Sequence, residues 1–217
     1  MRVACDWDEL TGWVDPKQLY FIDKKTYNRI SGQKHFNLEL IYGIISDTVT
    51  IPISIGANLH FFDGINVKMP FGKFQFSGQV FSHDASRINV NILLKVAHRF
   101  LNAPEMRGGR SIMGIDADGF IQLLFKFMGI DLPRKAMDQA LAGEDIGFAE
   151  FAHEGDLAFF SKGNKHITHV GMLTGPSSII HVHGRVKVDK LDQQGIFDLE
   201  TGRYIYKLRT IKRLFDF

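Results

Sequence analysis

The chain has 217 residues, 45% hydrophobic and 23% charged, which suits one large soluble domain or two small ones with a real core. A net charge of +2 is too small to argue for nucleic acid. A single cysteine, Cys5, excludes an internal disulfide framework and a multi-cysteine zinc site.

Residues 1–22 hold short β-type runs around the turn composition "DELTG" and read as the second half of a small barrel that starts abruptly. Trp7 and Trp13 are expected to pack there, and Cys5 to be a small core residue. Residues 23–47 are mixed and polar and read as a connector. Residues 48–85 alternate apolar and polar side chains between Gly, Asn and Asp turns, predicting short antiparallel strands of SH3-like barrel size.

The period then changes. "SRINVNILLKVAHRFLN" predicts a helix over 86–102, and 118–128 predicts a second. The second is apolar nearly all round, as a buried helix is. A short third helix is expected after Pro133, with that proline in its first turn. From 155 onward, "GDLAFF", "HITHVGMLTG", "SIIHVHGRVKVDK" and "RYIYKLRTIKRL" alternate as strands of one antiparallel sheet. The basic run near the carboxyl end reads as a solvated strand face. Helices followed by strands make an α+β domain. No stretch is long enough to span a membrane, and no charged-then-apolar leader precedes the fold. The compartment stays open between cell envelope or periplasm and cytoplasm.

His181 and His183 stand two apart on one strand and share a face. A Gly-Pro-Ser turn joins that strand to "THVG", so His169 is expected to face them across a hairpin. The buried helix near Asp118 should lie in front. A nucleophile at such a helix start would have its anion stabilised, with one histidine as base and a polar neighbour orienting it. From pattern alone, core histidines with satisfied hydrogen bonds remain the plainer account of His169 and His181. Asp118 reads equally as a helix cap or as a ligand group. His169, His181, His183 and Asp118 are donor types that suit a transition metal, but the spacing is not diagnostic and no metal is expected. His153 and His166 read as solvated loop residues.

"GGRSIMGIDADGFIQLLFKFMGIDLPR", "EGDLAFF", "ITHVGM" and "IIHVHGRVKVD" resemble the NlpC-type cell-wall cysteine peptidases, over about residues 86–217. The resemblance implies a papain-like domain that cuts peptidoglycan stem peptides after γ-D-glutamate. "GWVDPKQL" resembles the SH3-like domains that precede it in one branch of the family. The family motif Asp-Cys-Ser-Gly-Phe reads here Asp116-Ala117-Asp118-Gly119-Phe120. The nucleophile thus falls on Ala117, the base on His169 and the orienting histidine on His181. Asp116 falls on the aspartate that binds the substrate's free amine, and Asp118 on the serine that helps it. Tyr-x-Trp-Gly-Gly reads here Glu105, Met106, Arg107, Gly108, Gly109, and a usually small position is His183.

Several site positions depart at once, which fits natural divergence better than one engineered replacement. The expectation is an inactive homologue, without cofactor, that retains binding of a stem peptide or muropeptide fragment. Two alternatives stand beside it. One is a protein-interaction module whose groove is closed by Glu105, Arg107 and His183. The other is an altered copy of an active enzyme. The open edge of a truncated barrel also allows a second copy as partner.

Overall fold

The computed structural model describes residues 1–30, 35–82, 89–163 and 166–215. The chain divides into two compact units, Met1–Asp84 and Ala85–Phe217. No described helix is long and apolar enough to cross a membrane.

The first unit opens with the hairpin β1 (Arg2–Ala4) and β2 (Thr11–Trp13), in which Arg2 lies opposite Trp13. A single 3-10 turn, Pro16–Gln18, follows, and Asp15 caps it through the Lys17 N–H. Then come α1 (Lys24–Ile30), β3 (His35–Asn37), β4 (Ile41–Ile45), β5 (Thr50–Ser54), β6 (Asn66–Met69), β7 (Gly72–Gln75) and β8 (Val80–Ser82). Four of these strands form an antiparallel sheet in the order β5-β4-β7-β6, and β3 pairs with β8. Ile44, Leu59, Val67, Phe74 and Phe76 make the core.

Three expectations are corrected in this unit. Residues 24–45 are not a plain connector. They form a helix and two strands, and both strands find their partners later in the chain. Trp13 does not pack, because its side chain is 82% exposed on the hairpin. Cys5, just past β1, is only half-buried.

The second unit begins with α2 (Val90–His98), capped by Asn89 through the Asn91 N–H. The first residues of the helix expected over 86–102 lie outside the described residues, and its carboxyl end comes earlier. Next are β9 (Arg110–Ser111), β10 (Gly114–Ile115), α3 (Ala117–Phe127) and α4 (Ala136–Gln139). The strands β11 (Glu144–Ile146), β12 (Leu157–Ser161), β13 (His169–Gly175), β14 (Ser178–His183), β15 (Arg185–Leu191), β16 (Gly195–Asp198) and β17 (Arg203–Arg213) follow. They make one antiparallel seven-stranded sheet, as the alternation predicted. β17 pairs with both β12 and β16, so β12 to β17 close on themselves. The fold is α+β.

α3 buries Phe120, Ile121, Leu123, Leu124, Phe125 and Phe127, and packs on β13 and β14. Each such side chain contributes about 2 kcal/mol of burial. Phe120 meets Phe100 just beyond α2, with ring centroids 5.6 Å apart. At the other end of the sheet, Arg213 forks onto the buried carboxylate of Asp156 with contacts of 2.9 and 2.8 Å. This is the paired, hydrogen-bonded state that a buried charge requires. Pro133 does not sit in the first turn of α4, which starts at Ala136. Instead its carbonyl accepts from Gln139 Nε2.

Candidate functional site

The amino end of α3 is built on Asp116. Its Oδ1 accepts the Gly119 N–H at 2.8 Å, so Asp116 is the cap. Its Oδ2 accepts the Gly108 N–H and the Arg134 guanidinium, both at 2.7 Å. Ala117 is the first helical residue and is buried. Gly119 stands where any larger residue would collide. A Cβ there would meet Gly109 O and Arg110 Cγ at 2.8 Å.

Asp118 is not the cap of α3, which corrects one of the two sequence readings. Its Oδ2 accepts the N–H of Ala136 at 3.0 Å, so it holds the first residue of α4. Burial pushes the Asp118 carboxyl above the ordinary range, the Asp116 charge adds to this, and the Ala136 N–H and Arg134 oppose it.

The two histidines meet as the hairpin predicts. Gly171 lies opposite His181, which brings His169 Nε2 within 3.0 Å of His181 Nδ1. His181 Nε2 lies 2.9 Å from Asp189 Oδ2. Both rings and the carboxylate are buried. Asp189 in turn meets Lys187 Nζ at 3.2 Å, and Lys187 also pairs with Asp198 and Glu200. Burial raises the Asp189 carboxyl, but hydrogen bonds from His181, the Leu199 N–H and Lys187 outweigh it and hold it below its usual range.

The tautomers follow from these contacts. An ionised Asp189 only accepts, so His181 carries its proton on Nε2 and accepts on Nδ1. His169 then donates from Nε2, and its Nδ1 keeps a lone pair. Burial holds the His169 ring well below 6.5, and the neighbouring His181 and His183 add to this. His169 is a neutral imidazole with a fixed orientation. Tyr206 stacks on its face.

His183 is half-buried, with Nδ1 3.3 Å from the Tyr206 hydroxyl and its ring 6.5 Å from His181. Glu105 is exposed, and its Oε2 accepts the Gly184 N–H at 2.7 Å. Burial raises the Tyr206 phenol, and the Glu105 charge adds to this. Arg107 is exposed, as are His153 and His166 in their loops. No group of three or more His, Cys, Asp or Glu among the described residues is placed to hold a metal ion.

Sequence reasoning passed over Asp189, Lys187, Arg134 and Tyr206. A signal for the first two existed. In "HVHGRVKVD" residues 181, 183, 185, 187 and 189 share one strand parity, and His181 lies opposite Lys187.

A histidine relay on a closed antiparallel sheet, with a buried helix packed on the same strands, is the arrangement of a papain-like domain. Residues 106–201 match the profile of the NlpC/P60 family. Among curated proteins, the γ-D-glutamyl-L-lysine dipeptidyl-peptidase of Bacillus subtilis is 39% identical over 84 residues, 38% of this chain and 28% of that one. A probable endopeptidase of Haemophilus influenzae is 31% identical over 98 residues, 44% of this chain and 60% of that one. The chain thus spans 28% and 60% of the lengths of these two relatives. Among solved structures, an NlpC/P60 family protein from Bacillus cereus superposes with a TM-score of 0.77 at 23% identity, over 94% of this chain and 70% of that one. This last likeness is one of fold.

Proposed function

We propose that the second unit is a catalytically inactive homologue of the peptidoglycan endopeptidases, and that it binds a stem peptide containing γ-D-glutamate. The observation that carries the reading is Ala117 as the first residue of α3. The family resemblance places the nucleophile there, and a methyl group cannot attack a carbonyl. The likeness to the γ-D-glutamyl-L-lysine dipeptidyl-peptidase of Bacillus subtilis supports the γ-D-glutamyl peptide class. No cofactor enters this reading. The short strands of the first unit are read as SH3-like.

Asp116 is assigned to the peptide's free amine. Its carboxylate already accepts from Gly108, Gly119 and Arg134. A carboxylate has about four acceptor positions, so one remains. Asp118, Glu105, Arg107 and His183 are assigned to the rim of the same site.

Calorimetric titration of the full chain with L-Ala-γ-D-Glu-diaminopimelate tests both halves, with chromatography of the mixture to detect cleavage. Saturable heat without products is the expected result, and Asp116→Asn should weaken it while the protein stays folded. Turnover that disappears in His169→Ala refutes inactivity. No heat and no shift in melting temperature at millimolar peptide refutes the binding reading.

A further inference from the structure

β17 is paired unevenly along its two edges. One edge lies against β16 from Arg203 to Lys207. The other lies against β12 only from Lys207 to Lys212, because β12 stops at Ser161, opposite Lys207. Among the described residues, therefore, no strand covers that second edge from Arg203 to Tyr206. A cleft of about 590 Å³ is lined by Tyr204, Tyr206 and Lys207 of this stretch together with Ser161, Lys162 and Gln194.

An uncovered edge presents backbone donors and acceptors that seek partners. The charged side chains on the edge itself are basic, and Asp192, which accepts the Tyr204 hydroxyl, is an acidic neighbour. Lys162, Arg203 and Lys207 are exposed, and none of them has an ion-pair partner among the described residues. Basic residues on an edge repel a second copy of the same edge. They leave an acidic strand as the fitting complement.

We propose that this edge takes up a short, extended, acidic peptide segment of another protein, added as a strand in line with β12. Main-chain pairing supplies affinity, and the cleft beside Tyr204 and Tyr206 receives alternate side chains. The open run of four residues corresponds to about 13 Å of strand. The interaction goes beyond stem-peptide binding and needs nothing at position 117.

The probe is acetyl-Val-Glu-Val-Glu-Val-Glu-amide, titrated into the isotopically labelled full chain and followed by amide NMR. Shifts should concentrate at residues 161–163 and 203–207. The double variant Lys162→Glu, Lys207→Glu should weaken binding about tenfold or more. The same peptide N-methylated at alternate residues keeps its charge but cannot pair, and it should not bind. Equal binding of the N-methylated peptide would reduce the site to a generic polyanion surface and overturn the proposal. Shifts confined to other residues, or none at millimolar peptide, would overturn it as well. Unchanged circular dichroism of the double variant separates lost binding from lost fold.

Discussion

Tyr206 lies flat on His169, with ring centroids 4.1 Å apart and planes 4° apart. One edge of the His169 ring is bonded to His181 and one face is covered by Tyr206, so the imidazole has no freedom to reorient. Its basic Nδ1 is therefore preset by the sheet, whatever residue stands at position 117.

That presetting can be read with a thiol. Ala117→Cys places a sulfhydryl at the first position of α3, which packs on the strand that begins at His169. Iodoacetamide should alkylate it, with Cys5→Ser removing the background. Adding His169→Ala should slow the reaction about tenfold at neutral pH, since a neighbouring base raises the thiolate fraction. An unchanged rate would separate His169 from position 117.

Gly119→Ala tests the close packing around the cap. Alanine gains about 1 kcal/mol of helix propensity over glycine. Here its Cβ would stand 2.8 Å from Gly109 O and 2.9 Å from Asp116 Oδ1. The backbone oxygen cannot swing aside, so the net expectation is a loss of about 2 kcal/mol. Urea denaturation measures it. A stabilised variant would mean that the Gly109 segment yields.

Asp189→Ala removes the shared partner of two buried groups, so that His181 loses one of its two ring contacts and Lys187 one of its three carboxylate contacts. Breaking a buried pair from one side costs about 3 kcal/mol. The variant should melt well below the parent. Because His181 would lose the group that fixes its tautomer, its ring NMR signals should change as well.

The histidines also set a pH dependence. His169 and His181 are both held below 6.5, chiefly by burial. The unfolded chain therefore binds protons near that value which the folded chain refuses, so stability rises with pH. It is fully present above the unfolded value and is lost as pH falls from about 7 towards about 5, at up to about 1.4 kcal/mol per unit for each ring. Asp189 and Asp198 are held below 3.8, so their contribution fades only at more acid pH. His169→Gln should flatten the upper part of the profile, measured by urea unfolding at several pH values. An unchanged slope would rule out His169 as its source.

The hairpin carrying His169 and His181 was legible in the sequence because its turn and alternation are local. Asp189 and Lys187 sit in the same alternation, but a charged strand residue reads as solvated. Only the pairing of β16 with β17, between segments that flank a turn near residue 200, encloses that face. The capping reading of Asp118 fails because the helix begins at Ala117, one residue before the expected start. That shift gives the capping position to Asp116 and turns Asp118 towards α4. Residues 35–45 looked like connector because their partners, residues 50–54 and 80–82, lie further along the chain.

The chain of contacts from Lys187 through Asp189 and His181 to His169 has a consequence for reading relatives of this domain. Every member is buried and hydrogen-bonded to the next, so replacing any one of them damages folding before it touches chemistry. Selection for a sound fold alone would keep both histidines long after a thiol had gone. Their presence in a genome sequence therefore testifies to an intact sheet. On the function proposed above, whether such a protein can cut a peptide is decided by the residue at the first position of the helix.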